Sequence, residues 1–145
     1  MSQYLNVYVA SPSGEFVHLA DFSRNHDVYS ALQEEGNFPW EKIKLITSQT
    51  FTNAINYLED MIKRFEDRNR SWENAKKDIS LIVTNEETAQ AAIREIYDIS
   101  ETIEKNNDRI KDLEYAIAQL MLLEDIDSPV YAGIEIANPT KDDVI

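Results

Sequence analysis

Five carboxylates recur along one stretch of this chain: Asp98, Glu101, Glu104, Asp108 and Asp112, at spacings of 3, 3, 4 and 4. On a helix those intervals stack the acids on one face, one about every 5 Å along the axis. Such a row can meet a basic groove by imitating the charge of a nucleic acid. A charged outer face also keeps any helical hairpin in solution, and Lys105, Arg109 and Lys111 interrupt the row. Tyr97 stands beside the acids, outside the apolar positions, and is the candidate aromatic anchor for a partner.

Other chemistry is sparse. Lys63, Arg64, Arg68 and Arg70 form the one basic cluster where an anionic small ligand would bind. Their ordinary role is pairing with acids of the same or the facing helix. Ser23, Arg24, His26 and Asp27 lie close in sequence, but a nucleophilic triad needs its members to converge in space. Ser, Asn and Asp here suit a helix start instead, with Asn25 as the cap. His18 alternates with Phe16 and Ala20 and reads as a half-buried strand residue. The Glu124–Asp127 run fails as a calcium loop, because Val130 and Ile136 stand where Gly and Glu are required. There is no phosphate-cradling glycine loop and no zinc-protease motif. No catalytic residue, metal ligand or cofactor is assigned, and the chain reads as non-enzymatic.

The chain carries 145 residues and a formal net charge of −13. That balance disfavours phosphate backbones and anionic lipid, and favours basic partners. Residues 85–126 hold 11 acids and 4 bases, whereas residues 49–84 hold 6 of each, so most of the excess rides on one segment. Cysteine is absent, which removes disulfides and thiol chemistry. The start lacks the basic and apolar regions of a signal peptide, and no stretch reaches the length of a membrane span. The expectation is a cytoplasmic protein, with no direct contact to nucleic acid or membrane.

The elements that would position these residues follow from periodicity. Ile55, Leu58, Ile62, Phe65, Asn69, Trp72 and Ile79 form one heptad series; Ile96, Ile99, Ile103, Asn106, Ile110, Leu113, Ile117 and Leu120 form a second. Folding back near residue 85 pairs Ile79 with Ile96, Asn69 with Asn106 and Ile55 with Leu120, as one antiparallel hairpin requires. Asn69 opposite Asn106 is a polar pair that fixes register at some cost in stability. Thr84 with Glu87 reads as the capping box of the second helix.

Alternation predicts strands near 4–9, 15–22, 42–46 and 130–136, with a short helix over 27–35 closed by Gly36. The fold class is therefore α+β in a single domain of 1–145: a small antiparallel sheet head (1–48 and 126–137), a coiled-coil arm (49–125) about 35 Å or more in length, and a polar tail (138–145). Tyr115, Ala118, Met121, Leu122 and Leu123 lie off the seam and are expected to pack against the sheet.

In size, acidity and lack of cysteine the chain resembles phage-encoded inhibitors of host defence, anti-CRISPR proteins among them. The resemblance is compositional, no motif carries it, and it implies no site. It implies occlusion of a basic, nucleic-acid-binding surface on a target protein. A self-assembling adaptor is the second reading, because paired two-helix arms form four-helix bundles as homodimers. A small-ligand-binding oligomer is the third.

Overall fold

The computed structural model describes residues 4–22 and 26–145. The expected cap Asn25, with Ser23 and Arg24, lies outside the described residues. The chain forms two compact units, one of Met1–Glu59 with Tyr115–Ile145, the other of Asp60–Glu114. In order, the elements are β1 (Leu5–Ala10), β2 (Phe16–Asp21), α1 (His26–Gly36), β3 (Lys44–Leu45), α2 (Ser48–Leu81), α3 (Glu86–Glu124), β4 (Val130–Ile134) and a 3-10 turn at Lys141–Asp143. The α+β class is as the sequence predicts, with an antiparallel four-stranded sheet, a short helix and two long helices.

In the first unit the strand order is β2-β1-β4-β3. Leu5 opposes Ile134, Val7 opposes Ala132 and Val9 opposes Val130. Alternation puts these side chains on one face. Leu5, Val7, Val130, Ala132 and Ile134 are buried; in the same unit Val28, Ala31 and Leu32 of α1, Phe51, Ala54 and Leu58 of α2, and Ala116, Leu120 and Leu123 of α3 are buried as well.

The β1–β2 ladder slips between Val7 and Tyr8, so Val7 opposes Ala20 while Tyr8 opposes His18, leaving Leu19 as the extra residue. A bulge turns the side chains beyond it to the other face. Ala20 therefore joins Val17 on the side of Val7 and Val9, and His18 shares the opposite side with Tyr8 and Phe16. This corrects the strict alternation expected for Phe16, His18 and Ala20, and His18 is exposed rather than half-buried.

The polar tail is tied to the sheet. The Ile43 N–H donates to the Asp143 carbonyl at 2.8 Å and the Ile145 N–H donates to the Ile43 carbonyl at 2.9 Å. Val144 bridges Ile43 in parallel. Thr140 caps the 3-10 turn: its hydroxyl accepts from the Asp142 N–H, and the Asp143 carboxylate accepts from the Thr140 N–H at 2.8 Å. Ile136 forms a small core with Tyr8 and Ile43, against which Phe16, Tyr131 and Val144 pack. The sheet's second face thus has its own apolar cover.

Local chemistry sets the helix ends. Thr47 caps α2, its hydroxyl accepting from the Thr50 N–H at 3.1 Å. Ile46 and Phe51 occupy the staple positions on either side and both are buried. For α3 the cap is Asn85, not Thr84: its side chain accepts from the Thr88 N–H at 2.8 Å, and the Thr88 hydroxyl accepts from the Asn85 N–H at 3.0 Å. The box therefore closes one residue later than the Thr84–Glu87 spacing suggests. α1 ends at Gly36, whose carbonyl accepts from Lys44 Nζ at 2.9 Å. The Gln33 amide then holds both the N–H and the carbonyl of Phe38, fixing the Phe38-Pro39-Trp40 connector.

Gly133 marks the tightest approach in the sheet, since a Cβ there would lie 2.0 Å from the Lys42 carbonyl oxygen. Backbone cannot yield as a side-chain tip can. Gly133→Ala is expected to destabilise the protein by about 1–3 kcal/mol, read as a lower urea midpoint at unchanged slope. A midpoint equal to wild type would contradict this packing.

Candidate functional site

The sites are built from which faces of the helices are buried. Along α3, Ala92, Ile99, Leu113 and Leu120 are buried at a seven-residue repeat, with Asn106 half-buried in the same series. Ile96, Ile103, Ile110 and Ile117, the other seam positions, are half-buried. A stripe that narrow leaves most of the helix surface in water.

Asp98, Glu101, Glu104, Asp108 and Asp112 occupy that wet surface in the second unit, and all five are exposed. Among the described residues no ion pair or hydrogen bond engages any of their carboxylates. Over the 14 residues from Asp98 to Asp112 the helix rises roughly 21 Å. Tyr97 is 63% exposed, consistent with an aromatic presented to solvent.

The amide pair expected at the seam is present and extended. Asn106 Nδ2 donates to Asn69 Oδ1 at 2.9 Å, and Asn69 Nδ2 donates to Asn107 Oδ1 at 2.9 Å. Three amides thus form one chain across the two helices, and Asn107 is the member that heptad reasoning missed. It lies next to the seam, so only the length of its side chain brings it in.

The basic cluster of α2 divides. Arg70 pairs with Asp67 one turn back. The Arg68 guanidinium lies over the Phe65 ring, 5.1 Å from its centre. The stretch does not assemble into an anion cradle from these contacts.

One expectation about α3 is overturned. Tyr115, Ala118, Met121 and Leu122 do not pack against the sheet; they are exposed, Tyr115 at 64% and Leu122 at 70%. Only Leu123 of that group is buried. Ala116, Leu120 and Leu123 take the inward positions at spacings of 4 and 3, and rotation by one residue carries their neighbours outward.

The first unit also holds a concave site that sequence patterning did not indicate. A cavity of about 360 Å³ opens beside β2, lined by Tyr4, Asn6, His18, Asp21 and Glu135 among others. Its floor is polar and satisfied: the Ile136 carbonyl accepts from the Tyr8 hydroxyl at 2.5 Å and from Asn6 Nδ2 at 3.0 Å. Burial pushes the Tyr8 hydroxyl above its ordinary pKa, keeping it a donor. The Tyr29 hydroxyl is raised as well, by burial first and then by the charge of Glu135. His18 meets the Tyr8 ring edge-on at 5.3 Å, and its Nε2 lies 3.3 Å from Asn6 Oδ1. Glu135 and Asn138 bound the cavity in left-handed backbone, φ 50° and 51°, which a sequence rule tuned to glycine does not flag.

Among the described residues no group of three or more His, Asp or Glu side chains is arranged to hold a metal ion, and no helix is long and apolar enough to cross a membrane. No family model matches the chain, and neither the curated proteins nor the solved structures searched include a match.

The amide chain supplies a test of register. Asn69→Ala and Asn106→Ala are each expected to cost about 0.5–1.5 kcal/mol. Their double-mutant cycle should show a coupling of at least about 0.5 kcal/mol. Strict additivity in chemical denaturation would mean that the two amides do not act together.

Proposed function

We propose that this chain is a non-enzymatic interaction module whose α3 acids dock on a basic surface of a protein partner, occluding a nucleic-acid-binding site in the manner of an acidic inhibitor. The observation that carries this reading is that five exposed carboxylates, Asp98, Glu101, Glu104, Asp108 and Asp112, have no cationic partner among the described residues. Unpaired charges of one sign in a row raise the encounter rate with a surface of the other sign and reject like-charged surfaces. Tyr97 supplies an exposed ring beside them, the kind of group that anchors an interface once desolvated.

Replacing Glu101, Glu104, Asp108 and Asp112 together by Lys is expected to weaken binding to the captured partner on the order of 100-fold, from four exposed pairs at roughly 0.2–1 kcal/mol each plus the new repulsion. The folded state should survive, because all four side chains are exposed. An affinity within twofold of wild type, measured by calorimetry, would remove the electrostatic part of the proposal.

Self-association is the second reading, and one observation favours it. In the second unit Leu81, Ile82, Val83 and Ile93 are exposed, Leu81 at 82%, beside seam positions that are themselves only half-buried. A second copy would bury what one hairpin leaves wet. Light scattering across a hundredfold concentration range should then show a mass that rises towards a dimer. A constant monomer mass would exclude it.

A further inference from the structure

Where β3 passes into α2 and α3 passes into β4, the first unit leaves a cleft. β3 is two residues long, α2 begins at Ser48 and α3 stops at Glu124. The Ile46 N–H donates to the Val130 carbonyl at 2.8 Å, which holds the chain against β4 up to that pair. Beside it opens a space of about 180 Å³, lined by Leu45, Ile46, Phe51, Leu123, Ile126 and Val130 among others. Ile46, Phe51, Leu123 and Val130 are buried and make apolar walls, whereas Leu45 is 41% exposed and marks where the cleft meets solvent.

Its size limits the occupant. Sites for free organic ligands run to about 300–1,000 Å³. This space suits a single side chain, and its apolar walls favour an aliphatic one.

The charge around it selects what stands beside that side chain. Glu124 lines the cleft, and Asp125 and Asp127 flank Ile126, another of its walls. All three acids are exposed, and among the described residues no ion pair or hydrogen bond engages their carboxylates. They gather at the C-terminus of α3, the negative end of a helix, where cations are favoured. The last turn of α3 nevertheless has no basic residue. α2 begins at the same cleft but takes its cap from Thr47, so its first amides do not call on these acids. The negative potential beside the apolar walls is thus unanswered.

We propose that this cleft receives one aliphatic side chain, leucine, isoleucine or methionine, from a segment of a partner protein in which lysine or arginine stands on either side of it. The aliphatic group leaves water against Phe51, Leu123 and Val130. The stems of its basic neighbours lie along Leu45 and Pro129 while their heads reach the carboxylates. The site lies wholly in the first unit and does not rest on the α3 row from Asp98 to Asp112. A second copy of this chain has the wrong charge for it: residues 1–59 and 115–145 hold 13 acids against 4 bases, and each copy carries −13.

The test uses the full chain with Glu101→Gln, Glu104→Gln, Asp108→Asn and Asp112→Asn, so that a basic probe has no row of α3 acids to bind. The probe is the capped peptide Lys-Lys-Leu-Lys-Lys, titrated to saturation and followed by methyl NMR. The expected result is nuclear Overhauser contacts from the peptide leucine methyls to the Leu123 and Val130 methyls. Alanine in place of that leucine should weaken binding at least about tenfold, the loss of one buried aliphatic group. Adding Glu124→Gln, Asp125→Asn and Asp127→Asn should weaken it at least about threefold, from three exposed pairs. Saturation without contacts to Leu123 and Val130, or an alanine peptide that binds as well as the leucine one, would overturn the proposal. So would shifts of those methyls that grow with protein concentration in the absence of peptide, which would make a second copy the occupant. Any of these failures leaves the reading of the α3 acids standing, since the variant used lacks them.

Discussion

A helix with one narrow apolar stripe can be buried on one side only, and that limit governs what this chain displays. In α3 the inward positions recur every seven residues through Ala92, Ile99, Leu113 and Leu120. Once those and their half-buried seam neighbours are withdrawn from water, the residues on the opposite side of the helix have nowhere to go but outward. The acids of α3 are exposed for this reason and not because anything holds them out. The same rule exposes Tyr115 and Leu122, which a count of apolar residues alone would have placed inside. Composition says how much apolar surface exists; rotation about the helix axis decides how much of it is covered.

The amides at the centre of the seam constrain the same arrangement from within. Asn69, Asn106 and Asn107 exchange two hydrogen bonds of 2.9 Å where apolar side chains would pack more tightly. Hydrocarbon seams tolerate a shift of one heptad at little cost, whereas a polar group moved off its partner is left unsatisfied in a half-buried position. Register, and with it the set of residues that face outward, is therefore tied to a few donors and acceptors. Charge enters only afterwards, on a surface already chosen by packing.

Helical periodicity made the long elements legible. Two heptad series whose paired positions share a constant sum are hard to arrange in any way but an antiparallel pair, and Asn69 meets Asn106 as that sum requires. The strands were legible in number and order along the chain, less so in detail. The bulge at Leu19 has no residue signature, because a bulge is a property of two strands together and not of one. The role of the C-terminal residues was less legible for a related reason: eight mostly polar residues contain Val144, and that apolar side chain with two backbone bonds to Ile43 helps close the second face of the sheet. The cavity beside β2 was invisible in sequence, since Tyr4, His18, Asp21 and Glu135 come from both ends of the chain and only the β1–β4 pairing gathers them.

Acids of α3 that compete for a nucleic-acid-binding surface should yield that surface to nucleic acid itself. The direct measurement is capture from cell lysate on the immobilised chain, followed by elution with duplex DNA and, separately, with a salt gradient to about 0.5 M, where exposed charges are screened within a few ångströms. A basic nucleic-acid-binding protein that DNA displaces and salt releases is the predicted result. A partner retained through both treatments would contradict it.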